Sequence, residues 1–212
     1  MEGLDLLKKD WNREEKYPKL TSDDIYKMIL KKSSSIVKWI FIISLLEFAF
    51  WIGISFLLKG TSLSSKLEHI DMDHILIPLS IISYGILIYF FYLFYRNYRN
   101  ISSTDSSKTL MENILKTRRT VKYYVIFNLA SLVVGAFVGG YYALSHDPNF
   151  STSLEQASAN GEVFKLYAVI ILVIFAVLAV TIAILLLFYW LIYGILLKRL
   201  KRNYNELKKL EV

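Results

Sequence analysis

Histidine and aspartate side chains gather in two hydrophilic segments, and these are residue types that often hold metal ions. One segment carries the pattern HxDxDH, formed by His69, Asp71, Asp73 and His74, and the other carries His146. This spacing matches none of the compact zinc-ligand patterns. An aspartate just before an apolar block is also a common helix cap. We therefore favour helix capping and solvation over metal binding for this cluster, and we predict no cofactor.

The usual signatures of enzymatic chemistry are missing from the sequence. The chain has no cysteine, which excludes thiolate metal sites, disulfides and cysteine nucleophiles. It also lacks a glycine-rich phosphate loop, a nucleophile elbow and an HExxH motif. The sequence therefore predicts a protein that is not an enzyme.

An acidic residue, Glu47, lies near the middle of a long apolar block. A carboxylate at membrane depth costs several kcal/mol unless it is protonated, paired or hydrated, so it is a candidate functional residue. We expect Asn128, Ser131 and Thr181 at similar depth, in one polar layer with Glu47. Such a layer either fixes the register of the helices or forms part of a proton or ion path. We favour the first role, with a protonated Glu47 donating to a serine or an asparagine.

The elements that must position these residues are four apolar blocks, at about 36–58, 75–95, 121–143 and 164–197. Each is long enough for a bilayer span of about 20 residues. Because backbone polar groups must be satisfied within the hydrocarbon, each block should be a helix. The sequence therefore predicts an all-α integral membrane protein with four transmembrane helices.

Basic residues set the orientation of these spans. Segments 1–35, 96–120 and 198–212 carry 8, 6 and 6 Lys and Arg, whereas 59–74 and 144–163 carry 2 and 0. The positive-inside rule then places both termini and the loop 96–120 in the cytoplasm of an inner-membrane protein. Anionic lipid headgroups explain the net charge of +7, so we predict no nucleic-acid partner.

Two features suggest how the helices pack. Similar sequences lead into spans 1 and 3, such as Ile29-Leu30-Lys31 and Ile114-Leu115-Lys116, which suggests two repeated helical hairpins. Span 3 also carries small residues at spacings of four, which allow close approach of another helix. We favour packing within the chain over packing on a second protomer. The small residues are Ser131, Gly135, Gly139 and Ala143.

Apolar stripes continue beyond the spans into the predicted cytoplasmic segments. The last block has 34 residues and would measure about 51 Å as a helix, against roughly 30 Å of hydrocarbon. It therefore extends into the cytoplasm as the basic tail 198–212, with an apolar seam on one face. A short amphipathic helix is predicted in segment 1–35, and it lies on the bilayer surface, packs on the other cytoplasmic helices or captures a partner protein. The proposed docking residues are Leu4, Leu7, Trp11, Leu197, Leu200, Tyr204 and Leu207.

The stretches Leu6 to Trp11 and Ile25 to Phe48 resemble an uncharacterised family of small four-span inner-membrane proteins from flavobacteria and their relatives. Members of such families are sometimes labelled carotene monooxygenases. Membrane carotenoid oxygenases need several histidines to hold iron, and no predicted span contains one, so we reject that activity. The resemblance also implies gene neighbourhoods with extracytoplasmic-function sigma factors, and hence a membrane-tethered anti-sigma-like regulator. Segment 1–35 is shorter than a usual anti-sigma domain.

Three functions follow from these observations as expectations. The first is a non-enzymatic scaffold or regulatory subunit that engages another protein, or a second protomer, through cytoplasmic helices. The second is a small transporter or channel component that uses Glu47. The third is the anti-sigma-like regulator that the resemblance implies. We favour the first, because the predicted cytoplasmic segments are larger than the outer ones and carry the apolar seams.

Overall fold

The computed structural model describes residues 21–58, 73–104, 106–146 and 148–210, and every regular element within these ranges is helical. Four helical runs are long and apolar enough to cross a membrane, which indicates a membrane protein and confirms the predicted all-α class. In chain order the elements are α1 (Ser22–Leu58), α2 (Asp73–Ser102), α3 (Ser107–His146), α4 (Pro148–Ala159), α5 (Val163–Tyr189), a π-helical turn (Trp190–Gly194) and α6 (Ile195–Leu210).

A reciprocal cap starts α1. The hydroxyl of Thr21 accepts the Asp24 backbone N–H at 3.2 Å, and the Asp24 carboxylate accepts the Thr21 backbone N–H at 3.1 Å. This exchange satisfies N–H groups that have no partner within a helix. The Thr21 hydroxyl also lowers the pKa of the Asp24 carboxyl by donating a hydrogen bond to it. The start of the first helix is therefore fixed at Ser22, about 14 residues before the predicted span 36–58 begins.

The fourth apolar block is one run of helix with a change of pitch inside it. Residues 164–197 were expected as a single α-helix, but the π-helical turn interrupts them between α5 and α6. The predicted loop 144–163 is also more ordered than expected, because α4 occupies most of it. A tight turn joins α4 to α5, in which Gly161 has a φ of +70° and the Glu162 N–H bonds the Ala157 carbonyl. Glycine suits that position because it has no Cβ to clash in the left-handed region.

Burial divides the molecule into two sections. We call residues 21–47, 90–104, 106–124 and 189–210 the basic end, and the rest of the described chain the apolar section. Among residues whose burial is described, every buried one lies in the basic end. There α1, α2, α3 and α6 surround a common core. Its apolar members are Ile29, Ile36, Val37, Ile40, Phe90, Phe94, Ile101, Leu110, Ile114, Val121, Leu200 and Leu207, with three tyrosines described below.

The two helical hairpins differ in how they pack. In the first, α1 and α2 lie against each other over much of their length, whereas in the second α5 has few neighbours besides α3 and α4. The described part of α5 contains one buried residue, Tyr189, at its last position. The suggested duplication is therefore not matched by equivalent packing of the two pairs.

Candidate functional site

Three tyrosine hydroxyls converge on the carboxylate of Glu47. Tyr189 donates to Oε1 at 2.5 Å, while Tyr124 and Tyr193 donate to Oε2 at 2.9 Å and 3.2 Å. All four side chains are buried, and Glu47 is only 8% exposed. A buried carboxylate must be paired or hydrogen-bonded, and here hydroxyl donors fill that need. We call these four residues the Glu47 cluster.

Each member of the cluster comes from a defined element. Glu47 lies on α1 and Tyr124 on α3, while Tyr189 ends α5 and Tyr193 lies in the π-helical turn. A π-helical turn accommodates an extra residue and resets the faces that follow it, and such turns often occur at functional sites. Here the turn separates the exposed α5 from α6, which buries one face in the core. Gly194 closes the turn, where a Cβ would lie 3.5 Å from the Trp190 ring.

Aromatic rings surround the cluster. Phe90 and Phe94 of α2 meet the Tyr124 ring edge-on, with centroids 5.7 Å and 5.5 Å away. The rings of Tyr124 and Tyr189 lie 6.1 Å and 5.9 Å from that of Tyr193. All of these pairs are edge-to-face except Tyr189–Tyr193, whose rings are tilted, and such ring contacts are favourable. The shell therefore holds the three hydroxyls in place and limits access of water to the carboxylate.

The sequence predicts Glu47 near the middle of its span, and the structure shows how close its partners lie to basic residues. Its partner Tyr124 follows the exposed Lys122 by two residues, which is about 3 Å along the helix axis. Phe94, beside Tyr124, is likewise two residues from the exposed Arg96. The cluster therefore lies at the boundary between the basic end and the apolar section, close to the basic residues of the neighbouring helices.

The other members of the expected polar layer bond elsewhere. Asn128 donates to the Tyr124 carbonyl at 3.0 Å, and the Thr181 hydroxyl donates to the Val177 carbonyl at 2.9 Å, so each bonds within its own helix. Ser131 is half-buried. The expectation of a serine or asparagine partner for Glu47 is wrong, because its partners are tyrosines.

The sequence contained a signal for these tyrosines that we did not use. Tyr189 and Tyr193 are four residues apart in the last apolar block, and Tyr124 begins the third. Aromatic residues at span ends are usually interfacial anchors, so this pattern alone does not identify them as partners of Glu47.

The small-residue ladder of span 3 has no close helix partner within the described chain. A Cβ placed on Gly135 or Gly139 would meet no atom within 4 Å. Ser131 is half-buried, and the side chain of Ala143 is outside the described part. The expected intramolecular packing through these glycines is therefore not present.

The apolar seam of the tail is buried within the chain itself. Leu200 and Leu207 are fully buried in the core, and Leu197 and Tyr204 pack against it from partly buried positions. Their expected role as a partner-docking surface is therefore wrong, since α6 uses this face to bind α1 and α3. Leu4, Leu7 and Trp11 lie outside the described residues.

Hydrogen bonds between side chains reinforce the basic end. The Asn203 amide of α6 donates to the Ser33 hydroxyl of α1 at 2.9 Å, and both residues are fully buried. Asn97 of α2 donates to the Thr120 hydroxyl of α3 at 3.2 Å. Paired polar groups in a core restrict the arrangements in which all of them are satisfied. These bonds therefore favour one register of α6 against α1 and of α2 against α3.

The metal candidates are mostly beyond what the structure describes. His69 and Asp71 lie outside the described residues, as do the side chains of Asp73 and His146. In the part searched, which includes His74, no group of three or more His, Asp or Glu side chains could hold a metal ion.

The Glu47 cluster thus consists of one acceptor group, three hydroxyl donors and an aromatic shell. This arrangement can bind or release a proton, and it can tie helices together.

Comparisons with known proteins place the chain in a family. No curated protein and no solved structure matches it. One family model, described as "Domain of unknown function (DUF8845)", matches residues 23–212. The match extends far beyond the N-terminal stretches that carry the resemblance noted above. Because it includes most of the sequence, the chain belongs to the DUF8845 family.

Proposed function

We propose that the chain is a non-enzymatic scaffold or regulatory subunit of the inner membrane, with both termini in the cytoplasm. Its basic end engages an acidic surface of a protein partner. The docking residues are the exposed basic side chains, in place of the apolar seam, which is buried within the chain. The single observation that supports this proposal most strongly is the concentration of all described burial in the basic end. A rigid end favours binding, because less conformational entropy is lost when a partner docks.

The charge of this end supports an acidic partner. Its described residues include seventeen Lys and Arg, but only four Asp and Glu besides Glu47. Within the described chain, two of these basic residues form ion pairs with carboxylates, Lys27 with Asp23 and Arg202 with Glu206. All of the remainder except the half-buried Arg118 are exposed and available to an anionic partner, and complementary charge favours both fast association and specificity.

A shallow groove on the exposed face of α6 is one part of this surface. Ile195 and Asn205 line it together with four basic residues, Lys198, Arg199, Lys201 and Arg202. The opposite face of the same helix is buried through Leu200, Asn203 and Leu207. Because the buried face fixes the rotation of α6, the basic groove has one orientation relative to the bundle.

Orientation is the first test of the proposal. The absence of native cysteine allows single cysteines to be introduced at Ser106 and Ser158 and labelled with a membrane-impermeant maleimide. In intact spheroplasts we expect labelling at Ser158→Cys, and labelling at Ser106→Cys only after lysis. Labelling of Ser106→Cys in intact spheroplasts would contradict the proposed orientation.

Partner binding is the second test. A photo-crosslinking residue at Asn205 should yield a crosslinked protein in cells. The triple variant Lys198→Glu, Lys201→Glu and Arg202→Glu should reduce that product roughly tenfold, since each exposed ion pair contributes about 0.2–1 kcal/mol.

The matched control is Lys165→Glu, an exposed basic residue in the apolar section. It should leave the crosslinked product unchanged. Equal losses in the control and the triple variant, or crosslinks to lipid alone, would count against a protein partner.

A further inference from the structure

We infer that the Glu47 cluster is a proton-binding site that fastens the last span to the first. With the carboxylate ionised, the three tyrosine bonds hold α5 and the π-helical turn against α1. When Glu47 takes up a proton, these bonds weaken, and α5 is free to move away from α1. This inference goes beyond partner docking at the basic end, and it is tested without a partner.

The first step concerns hydrogen-bond chemistry. An ionised carboxylate only accepts hydrogen bonds, and it can accept from all three tyrosines at once. A protonated carboxyl carries a donor of its own, which would face another O–H donor. At least one tyrosine would then accept a hydrogen bond from the carboxyl, and its own hydroxyl hydrogen would have to turn away from Glu47. Protonation therefore weakens the cluster.

The second step concerns which helices depend on these bonds. Tyr189 and Tyr193 both belong to the last span, and their bonds to Glu47 connect residues 142 and 146 positions apart in the chain. The rest of α5 has no buried residue in the described structure. The first helix, by contrast, is also held to α2 and α6 by the core. Loss of the tyrosine bonds would thus affect the position of α5 more than that of any other helix.

The third step concerns where movement can occur. The π-helical turn lies between Tyr189 and Ile195, where α5 leaves the packed core. Turns of this kind are common sites of helix kinks. α5 can therefore change its tilt at this turn while α6 stays packed through Leu200 and Leu207.

The fourth step concerns the source of the proton. The cluster lies within about one helical turn of the exposed Lys122 and Arg96, so water on the side of the basic end is the nearest proton donor. Hydronium gives its proton to a carboxylate oxygen of Glu47, and water is left. Release of the proton to the same side restores the anion, so no net transport is required.

Few other charged groups compete with Glu47 at this position. Within the described chain, the titratable side chains that face it are Tyr124 from α3 and Tyr189 and Tyr193 from the last span. Phe90 and Phe94 are the residues that α2 places beside the cluster. A response in the acidic range is therefore assigned to Glu47.

The test measures distances between spin labels in the full chain, reconstituted in lipid nanodiscs. The absence of native cysteine lets labels be attached to Phe56→Cys on α1 and Leu172→Cys on α5, both well exposed. From neutral pH to about pH 4, we expect this distance to broaden and lengthen by roughly 5 Å, about one helical turn. The control pair, Lys31→Cys on α1 and Lys201→Cys on α6, should not change.

Substitutions separate the cluster from general acid effects. Glu47→Gln places a neutral amide in the site, so it should give the longer distance at both pH values. The double variant Tyr189→Phe and Tyr193→Phe should do the same, because it removes the bonds to the last span. Tyr124→Phe should keep the shorter distance at neutral pH, since those bonds remain.

Three results would overturn the inference. One is a wild-type α1–α5 distance that is unchanged between the two pH values. Another is an acid response that persists in Glu47→Gln. The third is an equal change in the control pair, which would indicate general unfolding. If Glu47→Gln fails to fold, the double variant Tyr189→Phe and Tyr193→Phe serves as the test in its place. A short α1–α5 distance at neutral pH in that double variant would contradict the inference.

Discussion

The basic end and the apolar section obey different packing rules, although both are built from the same helices. Leucines of one continuous helical run illustrate this, because Leu207 is fully buried whereas Leu187 is 61% exposed. In water an apolar side chain must be covered by protein, because exposure of apolar surface is unfavourable. Lipid tails solvate apolar side chains directly, so a helix within the bilayer needs no protein cover. The Glu47 cluster lies where these two sections of the molecule meet.

The largest effect that would test this comparison is loss of a core leucine. Leu207→Ala should lower the free energy of unfolding by about 2–5 kcal/mol, because it leaves a cavity in the packed core. Leu172→Ala, at a position 68% exposed on α5, should change it by no more than about 0.5 kcal/mol. Reversible unfolding in detergent micelles measures both. Similar losses in the two variants would show that α5 is packed as tightly as α6.

A smaller effect of opposite sign is expected in the apolar section. Gly139→Ala should stabilise the protein by about 0.5–1 kcal/mol, because alanine is the better helix former and the site has open space. Gly161→Ala is the matched control and should destabilise, since its φ of +70° disfavours a side chain.

The same unfolding experiment, combined with a measurement of oligomeric state, checks this prediction. Loss of stability or of assembly in Gly139→Ala would mean that a helix of a second protomer occupies the space beside Gly139. The apolar section would then also be covered by protein, which contradicts the comparison drawn above.

The smallest effect concerns the first turn of α1. The pKa of Asp24 is lowered by its hydrogen bonds to Thr21, so its cap is present above the ordinary carboxyl pKa of 3.8. The contribution is lost as the pH falls below that value through the depressed pKa of the folded state. Asp24→Asn should therefore increase hydrogen exchange at the start of α1 at neutral pH.

The exchange rates of Asp24→Asn and wild type should converge in strong acid, where the carboxyl of the wild type is protonated. Exchange in the apolar section should be the same in both proteins. A difference that persists in strong acid would mean that the carboxylate is not what stabilises this turn.

Much of the fold could be predicted from the sequence, because it depends on local properties. Four apolar blocks of sufficient length identify four helices, and the spacing of Leu197, Leu200, Tyr204 and Leu207 identifies one buried face. What covers that face depends on contacts between residues far apart in the chain. The spacing is the same whether the seam meets α1 or another protein, so the choice of partner could not be made from it.

The candidate site was predictable only in part, for the same reason. Glu47 stands out because a carboxylate is costly in an apolar block. Its partners Tyr189 and Tyr193 look like ordinary interfacial tyrosines until the helices are assembled. The π-helical turn that positions them has no signature that we could separate from α-helix, since both are built from apolar residues here.

The π-helical turn at Trp190–Gly194 also has a consequence for the evolution of this chain. Each residue of an α-helix rotates the chain by about 100°, so an insertion or deletion here would swing every later side chain around the axis. Leu200, Asn203 and Leu207 would then point away from the core, and the lysines and arginines of α6 would be turned inward. Homologues should therefore tolerate changes of residue type in this turn much more readily than changes in its length.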